Sequence, residues 1–315
     1  ATTIIRTDVD TGTSGDTRGW ILVNADVTLN LSNLTLDGTG HKIYQGIRTR
    51  GNGTIQNVTF TNIQYDPSGP SYQGVAIAAF GSTNQNVDVY DSTFSNIGRI
   101  GVLYFGAGIS DSTFRGNTYT GKGAGNWLDY ALDISAGAVV LVEDNTISNN
   151  YGVASVDGSV SAGILVTTFF APGTNTTITG NTIFNNSIGI IVGFDASDTS
   201  SVLANQNTIF DNTTFGVRNT AEAADATLAG PESVNVVNAR FNWWGSASGP
   251  DDNASGDGST PETNEGAGDV ASGAVNYTDW LRERPGREVC YSVAKTQNGN
   301  VVVLPLGCAA IVEPL

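Results

Sequence analysis

The chain has 315 residues, 39% of them apolar, with 39 glycines and no methionine. Its formal charge is −16, from 30 acidic groups against 14 Lys and Arg; such a surface repels nucleic acid and anionic lipid, whose phosphates are held by clustered Lys and Arg. No run of about 18 apolar residues occurs, which excludes a membrane-spanning helix.

An acidic polysaccharide would also be repelled unless a cation bridged the two, and solubility alone accounts for the charge. The chain opens at Ala1 without an initiator Met or a leader, which reads as a processed mature form or a trimmed one. Thr2-Thr3-Ile4-Ile5 is β-prone and no amphipathic helix accompanies it. A short strand or another molecule is therefore expected to cap the N-terminal end.

A six-residue phrase then recurs: Asn or Asp, one variable residue, Thr, a large apolar residue, one variable residue, and Asn or Asp. It reads Asn57-Val58-Thr59-Phe60-Thr61-Asn62, Asp91-Ser92-Thr93-Phe94-Ser95-Asn96 and Asp144-Asn145-Thr146-Ile147-Ser148-Asn149. Looser copies stand at Thr35-Leu36, Thr113-Phe114, Thr182-Ile183, Thr208-Ile209 and Arg240-Phe241. The apolar anchors Leu36, Phe60, Phe94, Phe114, Ile147, Ile183, Ile209 and Phe241 are 20 to 36 residues apart. A fixed phrase with elastic spacing marks a stacked solenoid whose insertions leave as loops.

Each Thr-apolar pair reads as a short strand with one side chain inward and the next outward. The Asn or Asp after it suits a left-handed corner, where its side chain bonds nearby backbone. Gly101-Val102, Gly152-Val153, Gly189-Ile190 and Gly216-Val217 then open further strands. Two or three strands per turn coil the chain into a parallel β-helix of about eight rungs, roughly 40 Å long at about 4.8 Å per rung. Thr59, Thr93, Thr113, Thr146, Thr182 and Thr208 are expected in one column and the anchors in another. Longer excursions at 65–74, 121–130, 154–174 and 218–233 are expected to emerge as loops and build a groove.

Near the C-terminus, Glu288–Val293 and Val301–Leu306 flank Asn298-Gly299-Asn300, a hairpin signal that sets Cys290 opposite Cys308. A disulfide there would contribute about 3 kcal/mol by loop closure and would point to export. The expected division is residues 1–281 as the β-helix with an N-terminal strand cap, and 282–315 as a hairpin cap or extension.

Asn242-Trp243-Trp244-Gly245-Ser246-Ala247-Ser248-Gly249-Pro250, with Asp269-Val270 and Val275–Leu281, resembles the final coil of secreted right-handed parallel β-helix repeat proteins of the pectate-lyase-like superfamily. Leu36–Ile43 resembles their opening coil. The resemblance covers about 20–281 and implies the fold; that superfamily holds lyases, hydrolases, epimerases, tailspikes and non-catalytic surface proteins, so it does not choose an activity.

Asp251-Asp252 could serve acid–base hydrolysis, but the Gly-His-Gly and Arg-Ile-Lys patterns that the resemblance would require are missing. Arg282-Glu283-Arg284-Pro285-Gly286-Arg287 lacks the Arg-x-Pro-x-x-Arg spacing of pectate lyases. His41, the single histidine, reads as a turn residue, and one of Trp243 and Trp244 as an inward plug. Tyr65, Tyr72, Trp127 and Tyr130 are the candidates for glycan stacking. From Asp251 to Glu262 the oxygen-bearing Asp251, Asn253, Ser255, Asp257 and Glu262, with Gly256 at the sixth place, follow a twelve-residue Ca²⁺ loop, although Gly258 departs from it. A disordered acidic loop has the same composition.

The reading that results is an exported, non-enzymatic structural β-helix at the cell surface or outside it, able to assemble end to end through its strand edges. Thr2–Arg6 or Val301–Leu304 would supply those edges. Two alternatives are a polysaccharide lyase or epimerase using Asp129, Asp133, Lys122 and Arg115 in the loop groove, and a glycan-binding adhesin or tailspike-like module. The expected partners are a second copy or a polysaccharide.

Overall fold

The computed structural model describes residues 3–66, 73–81, 84–195, 197–220, 236–252, 264–272 and 274–285 in full, and the backbone of 288–297 and 300–310. These residues form a right-handed parallel β-solenoid with three faces. Apart from one 3-10 turn at Gly15–Arg18, their regular structure is all β.

The first face stacks Gly19–Val23, Gln45–Thr49, Val75–Phe80, Ile100–Phe105, Tyr130–Ser135, Ala162–Thr167, Ile188–Val192 and Phe215–Asn219. The second begins with the first halves of Thr28–Asp37 and Asn52–Thr61. It continues through Val87–Tyr90, Ser112–Arg115, Val139–Glu143, Asn175–Thr179, Ser201–Asn205, Val237–Asn238 and Val275–Asn276. The third takes the second halves of the two long strands, then Thr93–Ser95, Thr118–Thr120, Thr146–Ser148, Thr182–Phe184 and Thr208–Phe210. Thr3–Ile5 adds to its near end beside Leu34–Leu36.

The Asn and Asp of the repeat make the corners. Between the second and third faces the chain turns through one left-handed residue, Asn33, Asn57, Asp91, Asp144 or Gln206, with φ of 49° to 58°. A second left-handed corner follows the third face at Asn62, Asn96, Asn149, Asn185 and Asp211. Asn and Asp tolerate this region because their short side chains bond locally. At the surface they also bond along the axis: Asn57 Nδ2 donates to Asn33 Oδ1 at 2.7 Å, and Asn96 Nδ2 to Asn62 Oδ1 at 2.7 Å.

Two repeat assignments need correction. The Thr column is Thr59, Thr93, Thr118, Thr146, Thr182 and Thr208, and its core neighbours are Phe60, Phe94, Tyr119, Ile147, Ile183 and Ile209. Thr113-Phe114 belongs to the second face, pairing with Leu141-Val142. Phe60 and Phe94 stack at 4.9 Å, and a Tyr below them continues the same packing. Phe241 is no core anchor either: it occupies the left-handed corner at φ 58°. Trp243 pairs with Thr208, so Trp244 becomes the inward plug. A bulky residue in that corner is strained.

Three apolar columns fill the interior, one behind each face, and buried aliphatic or aromatic side chains of this size contribute about 1.5–3 kcal/mol each. Buried amides bind the coils at two corners. Asn117, Asn145, Asn181, Asn207 and Asn242 form a file in which each backbone N–H donates to the next Oδ1 at 2.7–2.9 Å. Each Nδ2 also donates to a carbonyl of the preceding coil, such as Val89, Phe114 and Val142. A second file runs Asn150, Asn186, Asn212 and then the carboxylate of Asp269. Such a file leaves few buried polar groups unpaired.

Glu288–Gln297 and Asn300–Ala310 form an antiparallel two-stranded sheet of their own, in the expected register of Cys290 opposite Cys308. The disulfide itself lies outside the described side chains.

Candidate functional site

The loop that leaves the third face after Tyr119 helps to form a hollow of about 430 Å³, lined by Gln64, Ser95, Asn96, Thr120, Gly121, Lys122 and Trp127. Trp127 is held in place there. Its Nε1 donates to Gly123 O at 3.1 Å, and the Lys122 ammonium lies 4.8 Å from the ring centroid. A Cβ added at Gly125 would stand 2.1 Å from the ring, so only glycine allows that approach. The Lys122 ammonium also donates to Gly98 O.

Behind this hollow sits Asp129, fully buried. Its carboxylate accepts from the Tyr119 hydroxyl and from Lys122 N at 2.7 Å, while its own N–H donates to Ser161 Oγ at 2.9 Å. Burial pushes the Asp129 carboxyl up to about 6, against the pull of the Lys122 charge, and pushes Lys122 down to about 8. Both carboxylate oxygens are occupied, so the group latches the loop to the core.

Asp133 stands apart. Tyr130–Ser135 places it between Leu103 and Leu165 on the first face, and burial pushes it up to about 6, opposed by the charge of Arg99. Its Oδ1 is sealed from solvent and accepts no hydrogen bond among the described residues. Asp129 and Asp133 are four residues apart on an extended chain, about 13 Å at the strand rise. Asp129 reaches the core residue Tyr119, whereas Asp133 lies among Leu103 and Leu165, which pack in the cluster outside that face. Paired carboxylates that cleave glycosides stand about 5–9.5 Å apart; these two do not form such a pair.

The other sequence candidates scatter. Arg115 is on the second face, 3.8 Å from Glu143 and over the Tyr90 ring, and takes no part in the loop groove. Tyr65 packs on Tyr44 at 5.3 Å with Lys42 over its ring, and is not among the residues that line the hollow. Tyr130 opens a strand and is buried among the residues outside the first face. Tyr72 lies outside the described residues. His41 Nδ1 meets Asp10 Oδ1 at 3.1 Å, tying the N-terminal segment to the first coil.

Of the expected Ca²⁺ ligands, Asn253, Ser255, Asp257 and Glu262 lie outside the described residues. Asp251 bridges to Glu265 and Val270 at the base of that loop. Beside it the Asp252 carboxylate accepts from Asn264 N at 2.7 Å and from the Tyr277 hydroxyl.

One feature escaped the sequence reading. Phe80, Phe105, Phe170, Phe169 and Phe194 touch in succession, ring centroids 4.9–5.8 Å apart. Phe169 and Phe170 are 60% and 65% exposed. Adjacent phenylalanines inside a long excursion were its visible signal.

Residues 20–232 match the family described as the right handed beta helix region. No curated protein and no solved structure matches the chain.

Proposed function

The chain belongs to the right-handed β-helix family, and on that premise we propose that it is an exported, non-catalytic structural scaffold that associates through its ends. One observation carries this reading: apart from Asp133, the buried acids fasten coils and loops, and they do not converge with Asp133 on a shared cavity. Asp129 latches the loop at 122, Asp269 terminates the Asn212 file, and Asp252 holds Tyr277. Asp198 accepts from Thr167, Thr168 and Ser200 at 2.6–2.8 Å. Asp37 binds Arg6, Thr39 and Asn62. A hydrolase or lyase needs acid and base groups aimed at one substrate position.

The test is a panel of acidic and neutral glycans incubated with the protein, with and without Ca²⁺, read as reducing ends and unsaturated products. The scaffold reading expects no turnover; release from any member that stops on Asp133→Asn would overturn it. A glycan-binding module is the second reading, favoured by the hollow that sets Trp127 beside Lys122, Gln64 and Asn96. It expects retention on a glycan array that Trp127→Ala abolishes.

A further inference from the structure

We propose that the third face of the solenoid is an ice-binding surface. On it Thr35, Thr59, Thr93, Thr118, Thr146 and Thr182 stand in register, one per coil. Two residues further along the strands, Thr61, Ser95, Thr120 and Ser148 form a second file beside the first. The residue between the two files is fully buried at Phe60, Phe94, Tyr119 and Ile147, so both files point outward.

The fold alone does not demand this. The outward file on the first face runs Arg48, Ala78, Leu103, Asp133, Leu165 and Ile191. On the second face it includes Asp88, Thr113, Leu141, Thr177 and Leu203. Strands of the same solenoid thus accept charged, aliphatic and small residues at these places, whereas the third face keeps threonine. The β-propensity of threonine would favour it equally on all three. Nor do these hydroxyls fasten the coils. Ser95 Oγ donates to Thr61 Oγ1 at 3.1 Å, but among the described residues the hydroxyls of Thr59, Thr93, Thr118, Thr120, Thr146 and Thr182 enter no hydrogen bond.

The spacing of the array is held from both edges and from behind. Asn117, Asn145 and Asn181 of the first buried amide file immediately precede Thr118, Thr146 and Thr182. Asn150 and Asn186 of the second file follow just beyond Ser148 and Phe184. Beneath the surface Phe60 and Phe94 stack at 4.9 Å with their rings 3° from parallel. A face braced in this way presents its hydroxyls as a fixed lattice.

That lattice selects the partner. Its repeats are about 4.8 Å from coil to coil and about 6.6 Å along a strand, close to the two oxygen repeats on the prism plane of hexagonal ice. Each threonine offers a hydroxyl that can donate and accept within such a lattice, and a methyl group around which water orders. Serine lacks the methyl and valine the hydroxyl. A protein partner would be met through aromatic or arginine anchors, and neither file holds one from Thr59 to Ser148. Neither file holds a charge over that span, although the chain has 30 acidic groups; Asp91 and Asp144 stand at the corner beside it. A surface on the side of the solenoid leaves the ends, and with them the scaffold reading, untouched.

Nanolitre osmometry on the full chain reads the outcome. The expected result is a gap between the melting and freezing points, with ice crystals shaped into facets. Thr93→Lys and Thr118→Lys, at exposed positions of the array, should abolish the gap, whereas Leu203→Lys, exposed on the second face, should preserve it. Ice that grows as it does in buffer alone overturns the proposal. So does a gap that survives Thr118→Lys in a variant that melts cooperatively, or one that Leu203→Lys removes as completely. Retention on crystalline cellulose or chitin that Thr118→Lys abolishes, without any effect on ice, would assign the array to a polysaccharide and overturn it as well.

Discussion

The two ends of the solenoid are built from the same columns and finish differently. On the third face the column that begins at Ile5 ends against Trp244, the first 37% exposed and the second fully buried. The asparagine files reinforce the contrast. They run from Asn117 to Asn242 and from Asn150 to Asp269. The first two coils are joined instead by pairs such as Asn33 with Asn57 at the surface and Asn62 with Asp37. A solenoid's stability is a sum of coil and neighbour terms, so the far half should be the more stable of the two.

The largest expected effect is at the closed end. Trp244→Ala should cost about 3–5 kcal/mol in urea unfolding, by loss of burial and the cavity left behind. Ile5→Ala, measured under dilute conditions, should cost less than about 1 kcal/mol. Equal costs would erase the contrast. Next comes the amide file. Asn181→Ala removes the acceptor for Asn145 N and Nδ2 and the donor to Val142 O, leaving buried groups unpaired at about 3 kcal/mol. Asn57→Ala at a surface corner should cost about 1–2 kcal/mol, from its left-handed backbone.

Acidity should act on the far half. The folded carboxyls of Asp129, Asp133 and Asp269 are raised to about 6 by burial, above an ordinary value of 3.8. The folded chain then binds more protons than the unfolded chain between these values, so stability falls as pH rises from about 4 to about 6. Melting temperature should be higher at pH 4.5 than at pH 7.5. Asp133→Asn should raise stability at pH 7.5 by about 1 kcal/mol, after discounting for partial solvent exposure, and leave it unchanged at pH 4. A flat profile would show that these acids are solvated. The smallest expected effect is at Phe241: Phe241→Asn should gain about 1 kcal/mol by relieving the left-handed strain.

Much of the fold was legible because the corners impose chemistry: only a few residue types tolerate φ near +55°, so Asn and Asp recur where the chain bends. The register was legible where Thr precedes a large hydrophobe and slipped at two places. Phe114 is more apolar than Tyr119, yet Tyr119 holds the column because its hydroxyl reaches Asp129. Phe241 was mistaken for an anchor because its left-handed position is one that sequence pattern assigns to Asn or Gly. The asparagine files were missed, although Asn117, Asn145, Asn181 and Asn207 each precede the Thr of the phrase. The place read as variable is, in the far coils, a buried amide. The candidate site was less legible. Which face Arg115 or Asp133 occupies depends on single-residue corners, and whether Asp129 faces the core or a groove depends on strand parity.

Hydrogen exchange tests the contrast between the two ends most directly. Amides of residues 19–32 should exchange quickly, while those of 201–210, joined by the asparagine file, stay protected. Protection at 19–32 as high as at 201–210 would contradict that contrast.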